Sequence, residues 1–514
     1  MHTPHTSHTP RPPTLWQALI PLGFLVVSLG AAVLIYGDEA ILGPVQVGLF
    51  MSAAVAAQVG YFNGHSIPDL SKAAVDSVAA AMGAIFILFT VGALIGVWNM
   101  SGTIATLTDW GIQVLSPDFL YVTAAVICAV VALAVGSSWT VMGTIGVALV
   151  AISEALGLSP AIAAGAVISG AYFGDKMSPL SETTNLAAAV AGTDLYRHIR
   201  AMTATTVPSI LIALGIYLVI GLNSRPEGAI RIDSGLDAIR DSYVIGVVPV
   251  LPLVVVIILA LRKVPPTLAI LAGALTGGLV AVTLQTQEVL DFVDDSSLST
   301  PVALLKGVWD AMATGYVADT GSPAVDDLLT GGGMESLLVT IWLIITALGF
   351  GGIMNHCGFL AKLIEPLRRR AKSDRGVMGA TGTTAIGINV VAADQYLALV
   401  LTGNVYKEEF ARRGIAPRTL SRQIEDTATV TSPLIPWNSC GAYAAGVLGV
   451  ATLAYLPFAF FNLINPVISF AYAALGLQIK KVEPDEGFAE SPHDTQFYGV
   501  DGAHADEVPS DGRS

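Results

Sequence analysis

Charge is scarce in this chain of 514 residues: only 12% of them are Asp, Glu, Lys or Arg, whereas 53% are hydrophobic. A soluble protein of this size needs a far more polar surface, so the composition predicts an all-α polytopic membrane protein. The few charges are mostly acidic and give a formal net charge of −14. This balance argues against nucleic acid as a partner.

Cysteine and enzyme motifs are also scarce. Cys128, Cys357 and Cys440 lie in or beside apolar segments without metal-ligand spacing, so neither a disulfide framework nor a metal cluster is predicted. The sequence lacks the HExxH, GxSxG and GxxxxGK[ST] motifs of metalloproteases, serine hydrolases and ATP-binding loops. We therefore expect neither an enzyme nor a cofactor.

Apolar runs long enough to cross a bilayer predict about fourteen membrane segments, seven in each half. The runs at 119–135 and 139–156 are candidates for a re-entrant hairpin. The predicted organisation is a disordered N-terminus (1–14), a first membrane repeat (15–222), a loop (223–241), a second membrane repeat (242–479) with an acidic, Gly-rich insertion (285–333), and an acidic disordered tail (480–514).

Lys and Arg concentrate in a few short connections. Six lie in 362–375 and five in 407–422, whereas the segment 285–299 is acidic. Because cytoplasmic loops carry the excess of Lys and Arg, these segments predict a multi-pass protein of the cell membrane with both termini in the cytoplasm.

The two halves resemble each other. Gly96–Leu107 aligns with Gly352–Leu363 at an offset of 256 positions (358 − 102), and Ser-Pro-Leu at 178–180 matches the same tripeptide at 432–434. Seven segments per repeat is an odd number, so we expect two inverted-topology repeats with broken helices. This arrangement is typical of secondary transporters that work by alternating access.

Two further matches follow from these offsets. Asp394 pairs with Ser138 (394 − 256), and both residues are expected at hairpin tips that meet near the membrane midplane. Asn185 falls near Asn438.

Two polar stretches interrupt the apolar segments. Phe173–Ala187 reads FGDKMSPLSETTNLA, and Glu425–Tyr443 has the same character. Each ionisable side chain at the membrane centre costs about 2.5–3.5 kcal/mol, and Pro179 breaks the helix around it. Such segments are tolerated where they line a water-filled cavity, so both stretches predict ion sites.

The residue types in these stretches suit Na⁺ and H⁺. Na⁺ binds carboxylate, hydroxyl, amide and free carbonyl oxygens, and one carboxylate can hold either Na⁺ or H⁺, so competition at a shared acid is sufficient for exchange. The predicted ion-binding and proton-coupling residues are Asp175, Ser178, Glu182, Thr183, Asn185, Ser138, Asn389, Asp394, Asp426, Ser432 and Asn438; Lys176 is the predicted charge partner, and Asp175, Glu182 and Asp394 are the predicted Na⁺ ligands.

Each residue also has a structural alternative. Asp175 would form a salt bridge with Lys176 or with its counterpart across the bundle, Glu182 would cap a restarted helix, and Asp426 would be a solvated loop acid. The hydroxyls would bond only to the preceding turn. An unpaired Asp394 in a membrane segment favours a functional role.

The motif at 173–187, together with TSPLIPWNSCGAY at 431–443, resembles the NhaC-type sodium/proton antiporters of the ion transporter superfamily. The similarity spans roughly Leu15 to Leu477, and family motifs often have Asp where this chain has Glu182. The resemblance implies electrochemically driven exchange of cytoplasmic Na⁺ for external H⁺. The implied partners are Na⁺, H⁺ and the lipid bilayer, and a homodimer is a further expectation.

Two alternatives stay open at this point. The resemblance extends to exchangers that combine Na⁺ and H⁺ with malate and lactate, so the first is Na⁺/H⁺-coupled exchange or symport of a small organic acid or amino acid. Lys176 or a half-helix end would then bind the carboxylate of the substrate. The second is a passive channel or receptor, against which the paired broken helices argue.

Overall fold

The chain is almost entirely helical over the residues that a computed structural model describes, 10–224 and 232–483. Within these ranges the only β-pairing consists of two isolated bridges, Tyr316–Gly331 and Ile415–Lys481. The helices of the first half are α1 (Leu15–Tyr36), α2 (Pro44–Phe62), α3 (Ile67–Ala80), α4 (Met82–Met100), α5 (Thr103–Val114), α6 (Leu120–Val135), α7 (Ser138–Val141), α8 (Val147–Ala155), α9 (Pro160–Met177), α10 (Glu182–Ala191) and α11 (Leu195–Asn223).

The second half continues the same architecture and confirms the all-α fold. Its helices are α12 (Ile232–Ser242), α13 (Leu251–Leu261), α14 (Pro266–Leu284), α15 (Thr286–Val293), α16 (Thr300–Ala313), α17 (Pro323–Leu329), α18 (Leu338–His356), α19 (Phe359–Arg370), α20 (Asp374–Ala392), α21 (Gln395–Arg412), α22 (Pro417–Ile424), α23 (Ser439–Leu448), α24 (Thr452–Tyr455) and α25 (Phe460–Leu475). Two π-helical turns, Met142–Gly146 and Glu425–Thr429, lie within longer helical stretches.

Apolar helices confirm a multi-pass membrane protein. Over the described residues, eight helices are long and apolar enough to cross a bilayer, or nine if the bent pair Ser439–Leu448 and Thr452–Phe458 is one span. The sequence predicts about fourteen segments. The difference arises because the other segments are broken, shorter, as in Phe460–Leu475, or too polar.

Several predicted loops contain helices. The predicted loop 223–241 includes most of α12, and the insertion 285–333 includes α15, α16 and α17. The polar turns after α4 and α18 lead into α5 and α19, because Gly102 and Gly358 adopt left-handed backbone conformations that end one helix and permit the next. Residues 1–9, 225–231 and 484–514, which include most of the two predicted disordered ends, lie outside the described residues.

The two halves share a local register. Left-handed residues recur 257 positions apart, in the pairs Gly136 and Ala393, Gly157 and Gly414, and Gly192 and Gly449. The stretch Ser138–Ala155 and helix α21 both have 18 residues, and α10 and α23 both have ten. This repetition supports two repeats, while their inverted orientation stays a prediction.

This spacing of 257 positions corrects two predicted pairs of corresponding residues. Ser137 and Asp394 both cap the helix that follows a left-handed residue, so Asp394 corresponds to Ser137 and not to Ser138. Ser181 and Asn438 both cap the restarted helix, so Asn438 corresponds to Ser181 and not to Asn185. The second error arose because residues 435–437 follow the Ser-Pro-Leu motif in the second half and shift the offset from 254 to 257.

Candidate ion-binding site

Two broken helices form the centre of the site. In the first half, α9 ends at Met177 and α10 begins at Glu182, so residues 178–181 form the first break. In the second half, the second π-helical turn ends at Thr429 and α23 begins at Ser439, so residues 430–438 form the second break. Both restarted helices are capped by a side chain: the Ser181 hydroxyl accepts the Thr184 amide at 3.4 Å, and the Asn438 Oδ1 accepts the Cys440 amide at 3.0 Å. The caps satisfy backbone donors that a break would otherwise leave unbonded inside the protein.

A turn between two helices contacts each break; the turn at Gly136 is called the first tip and the turn at Ala393 the second tip, after the hairpin tips expected there. Gly136 (φ +74°) lies so close to Leu180 that a Cβ atom at this position would fall 2.8 Å from the Leu180 carbonyl carbon. In the second half, the Ser439 amide donates to the Ala393 carbonyl at 2.9 Å, and the Trp437 indole donates to the Val390 carbonyl at 2.7 Å. Each tip is therefore fixed to the broken helix of its own half.

Asp175 lies at the contact between the first tip and the first break. Its Oδ2 accepts the Ser138 hydroxyl at 2.7 Å and the Ser138 amide at 3.2 Å, and the residue is only 7% exposed. Asp175 forms no salt bridge with Lys176, although they are adjacent in sequence. The structural alternative of an Asp175–Lys176 pair is therefore wrong.

Lys176 instead binds Asp426 in the other half. Its Nζ lies 2.5 Å from the Asp426 Oδ1 and 3.3 Å from the Asn465 Oδ1, and Thr205 donates to the same carboxylate oxygen at 3.0 Å. Both charged side chains are completely buried. The alternative of a solvated loop acid at Asp426 is therefore wrong.

Two further contacts connect the halves. The Tyr396 hydroxyl donates to the Glu182 Oε2 at 3.0 Å. The rings of Trp139 and Tyr443 stack with centroids 4.0 Å apart, and the Tyr443 hydroxyl donates to the Trp139 carbonyl at 2.8 Å. Glu182 is exposed whereas Asp175 is buried, so the first break has an accessible side and a closed side.

The predicted amide residues of the second half form a buried cluster. Asn389 donates to the Ala428 carbonyl at 2.5 Å and to the Thr431 hydroxyl at 3.1 Å, while Asn438 donates to the Asn389 carbonyl at 3.2 Å. Ser432 donates to the Gln395 Oε1 at 3.2 Å. These bonds hold the second tip and the second break in one arrangement.

Other predicted residues stabilise the breaks locally. The Ser178 hydroxyl accepts the Leu180 amide at 3.2 Å, the hydroxyls of Thr183 and Ser181 lie 3.1 Å apart, and exposed Asn185 donates to the Ser181 carbonyl at 2.7 Å. These bonds account for part of the polarity of the motif without an ion.

Asp394 caps helix α21. Its Oδ1 accepts the Leu397 amide at 2.7 Å. Within residues 10–224 and 232–483, no hydrogen bond joins Asp394 to Asp175 or Glu182. Binding of one Na⁺ by these three carboxylates stays a prediction. The described residues contain no cluster of three or more His, Cys, Asp or Glu side chains suited to a metal ion.

Glu425 is the residue that the sequence reasoning left out of the predicted site. It is completely buried on the second π-helical turn, and within the described residues neither carboxylate oxygen has a hydrogen-bond partner. Lys176 and Asp175 act on it electrostatically, and the hydroxyls of Thr429 and Thr183 lie beside its carboxyl group but outside hydrogen-bond geometry. The sequence indicates this polar stretch, but it does not reveal which of the adjacent acids Glu425 and Asp426 lacks a partner in the interior.

Two partners of the buried ion pair were also missed. Thr205 lies on α11 and Asn465 lies on α25, both within apolar helices. A usable signal exists in the sequence, because Asn462 and Asn465 are three residues apart and therefore project from neighbouring positions of one helix.

The model of the Na⁺/H⁺ antiporter family matches residues 170–477 of this chain. Among curated proteins, the Na⁺/H⁺ antiporter NhaC of Alkalihalophilus pseudofirmus is 36% identical over 90% of this chain and 97% of its own length. The arginine/ornithine antiporter ArcD of Halobacterium salinarum is 33% identical over 93% and 96% of the two chains. The malate-2H⁺/Na⁺-lactate antiporter of Bacillus subtilis is 32% identical over 91% and 96%.

Proposed function

The chain belongs to the Na⁺/H⁺ antiporter family, and from this premise we propose that it exchanges Na⁺ for H⁺ across the cell membrane by alternating access. The observation that carries the proposal is Asp175. This carboxylate is buried at a helix break, accepts two hydrogen bonds from Ser138, and forms no ion pair with any Lys or Arg of the described residues.

A buried carboxylate without a cationic partner is costly when charged. It is stabilised either by a proton, which neutralises it, or by a bound cation. Both states use the same oxygens, so Na⁺ entry requires proton departure. Glu425 is also completely buried and, within the described residues, forms no ion pair and no hydrogen bond through its carboxylate, although Lys176 acts on it electrostatically. Asp175 and Glu425 are therefore the proposed exchange carboxylates.

The exposed and buried sides of the first break suggest a path to these carboxylates. Glu182 and Asn185 are exposed and Asp175 is not. In the proposed mechanism, a cation approaches past Glu182, whose position is held by Tyr396, and loses water as it reaches Asp175. Alternating access would then open the opposite side.

Lys176 and Asp426 have a supporting role in this proposal. Lys176 and Asp426 compensate each other's charge, buried Arg422 lies 3.8 Å from the other Asp426 oxygen, and Asn465 and Thr205 satisfy further hydrogen bonds. The pair therefore holds the two breaks together instead of binding the transported ions.

The second candidate is coupled transport of an organic acid or amino acid. Two relatives favour it by name, an arginine/ornithine antiporter and a malate-2H⁺/Na⁺-lactate antiporter. Lys176 is a poor receptor for a substrate carboxylate, because it is completely buried and already bonded to Asp426 and Asn465. The capped N-termini of α10 and α23 would have to take this role.

The test is proton movement in proteoliposomes with purified full-length protein and a trapped pH dye. Na⁺, K⁺ and choline are added separately, then Na⁺ with malate or lactate, and finally arginine against trapped ornithine. A saturable pH change with Na⁺ alone, absent from Asp175→Asn, supports Na⁺/H⁺ exchange. A response only after an organic substrate is added would replace it with the second candidate.

The same preparation tests two remaining proposals. The molecular mass of the protein in detergent distinguishes a monomer from the proposed homodimer. Protease accessibility of tags at both termini in inside-out vesicles tests the proposed cytoplasmic orientation, which rests on the distribution of Lys and Arg.

A further inference from the structure

A basic cavity of about 560 Å³ lies at one end of the helix bundle, away from the helix breaks. Its walls are the last turn of α19, the connection to α20 and the C-terminal end of α21. Five basic residues line it: Arg368, Arg369, Lys372, Arg412 and Arg413. Two acidic residues, Glu408 and Glu409, leave the lining with an excess of positive charge.

Several of these charges already have partners. Glu409 binds both Arg412 and Arg413. Arg413 also donates to the carbonyls of Ala371 and Lys372 at 3.1 Å each, which fixes the connection after α19 against the end of α21. The walls of the cavity are therefore held in place without a ligand.

Two of the cations have no such partner. The side chains of Arg368 and Lys372 form no hydrogen bond or ion pair with the described residues, and both line the cavity. Arg369 binds Glu365 outside the lining, and Glu408 is exposed. A guanidinium and an ammonium, both exposed and without a partner among the described residues, thus line one open pocket.

This combination suits a phosphate group. A guanidinium binds two phosphate oxygens through parallel hydrogen bonds, and an ammonium adds a point charge. The volume lies within the range of about 300–1,000 Å³ for small-molecule sites. We propose that this cavity binds the phosphate of an anionic lipid headgroup from the cytoplasmic leaflet.

The position of the cavity favours a lipid over a soluble phosphate. The same basic segments predict that this end faces the cytoplasm, where anionic lipids carry the negative surface potential. Basic pockets between membrane helices at this level are known sites for anionic headgroups. The alternative is that these Arg and Lys residues only stabilise the dipoles of the helix C-termini. That role does not require them to line one common cavity.

The test uses purified full-length protein in neutral detergent. Thermal unfolding is followed during titration with phosphatidylglycerol, phosphatidylcholine or inorganic phosphate, and native mass spectrometry counts retained lipids. The variant is Arg368→Gln with Lys372→Gln. The control, Arg370→Gln with Arg262→Gln, removes the same charge from exposed residues outside the cavity lining.

We expect phosphatidylglycerol to raise the unfolding temperature of the wild type and the control. The half-saturating concentration should rise about 25-fold in the cavity variant, at roughly fivefold for each of the two basic contacts, and one retained lipid should be lost. Equal behaviour of variant and wild type, or an equal loss in the control, would overturn the proposal. A shift with inorganic phosphate alone that the cavity variant abolishes would keep the phosphate site and reject the lipid as its source.

Discussion

Lys176 and Asp426 form a completely buried ion pair between residues 250 positions apart in the sequence, with 2.5 Å between Nζ and Oδ1. The pair joins the last turn of α9 to the π-helical turn of the second half. It fastens the two breaks to each other at the level where the proposed exchange carboxylates lie. Loss of either charge of this pair should lower the unfolding free energy of the protein, whereas neutralisation of an ion-binding carboxylate should mainly abolish exchange.

Removal of one member of this pair should destabilise the protein strongly. Lys176→Met or Asp426→Asn breaks this buried pair, which costs about 3–5 kcal/mol of unfolding free energy. Asp426→Asn should cost more than Lys176→Met, because buried Arg422, whose Nε lies 3.8 Å from the Asp426 Oδ2, then loses its acidic neighbour as well. The double variant removes both charges and should recover part of that loss, because Arg422 still lacks Asp426 in it. Thermal unfolding of the two single variants and the double variant tests this. If the loss of unfolding free energy in the double variant equals the sum of the two single losses, Lys176 and Asp426 do not stabilise each other.

Ser138 should tune the affinity of Asp175. Ser138→Ala removes the hydroxyl donor at 2.7 Å but keeps the amide donor at 3.2 Å. A hydrogen bond to a charged group is worth about 1.5–3 kcal/mol, so the half-saturating Na⁺ concentration should change by about tenfold or more. Ser52→Ala is the control, because the buried Ser52 hydroxyl donates only to the Gly48 carbonyl of its own helix. If the half-saturating Na⁺ concentration of Ser138→Ala equals that of the wild type, Ser138 does not contribute to Na⁺ binding at Asp175.

Much of the fold follows from local signals in the sequence. Long apolar runs identify the membrane helices, and Pro179 marks the break between α9 and α10 correctly. Gly102 and Gly358 align at the turns because only a residue that tolerates positive φ fits there. The short helices of the insertion 285–333 were missed because polar amphipathic helices resemble loops when only apolar length is considered.

The partners within the site could not be derived in the same way. Lys176 is next to Asp175 in sequence, yet its side chain binds Asp426. Adjacent residues of a helix point about 100° apart, so neighbours in sequence are seldom neighbours in space. The choice between Glu425 and Asp426 depends on packing against α11 and α25, which no local pattern encodes.

Glu425 should respond to neutralisation in the opposite way to its neighbour Asp426. Glu425→Gln removes a buried carboxyl group that has no hydrogen-bond partner, so the unfolding free energy should fall by less than about 1 kcal/mol or rise. Na⁺-dependent proton movement should be lost at the same time. Glu365→Gln, the same change in a partly exposed residue that pairs with Lys362 and Arg369 away from the site, is the control for transport. Full exchange activity in Glu425→Gln would remove this residue from the proposed mechanism.

Asp394 combines a structural role with a proposed functional one, and two substitutions separate them. Asp394→Asn keeps a good N-cap for α21, so we expect normal stability but loss of Na⁺-dependent exchange. Asp394→Ala removes the cap as well and should lower the unfolding free energy by a further ~1 kcal/mol. Asp194, which caps α11 and is exposed, provides the matched control in Asp194→Asn. Thermal unfolding measures how much the helix cap contributes to stability, and ion flux in proteoliposomes measures how much the negative charge contributes to exchange. If Asp394→Asn exchanges ions at the wild-type rate, Asp394 is only a helix cap, and the exchange must depend on the carboxylates at the two breaks.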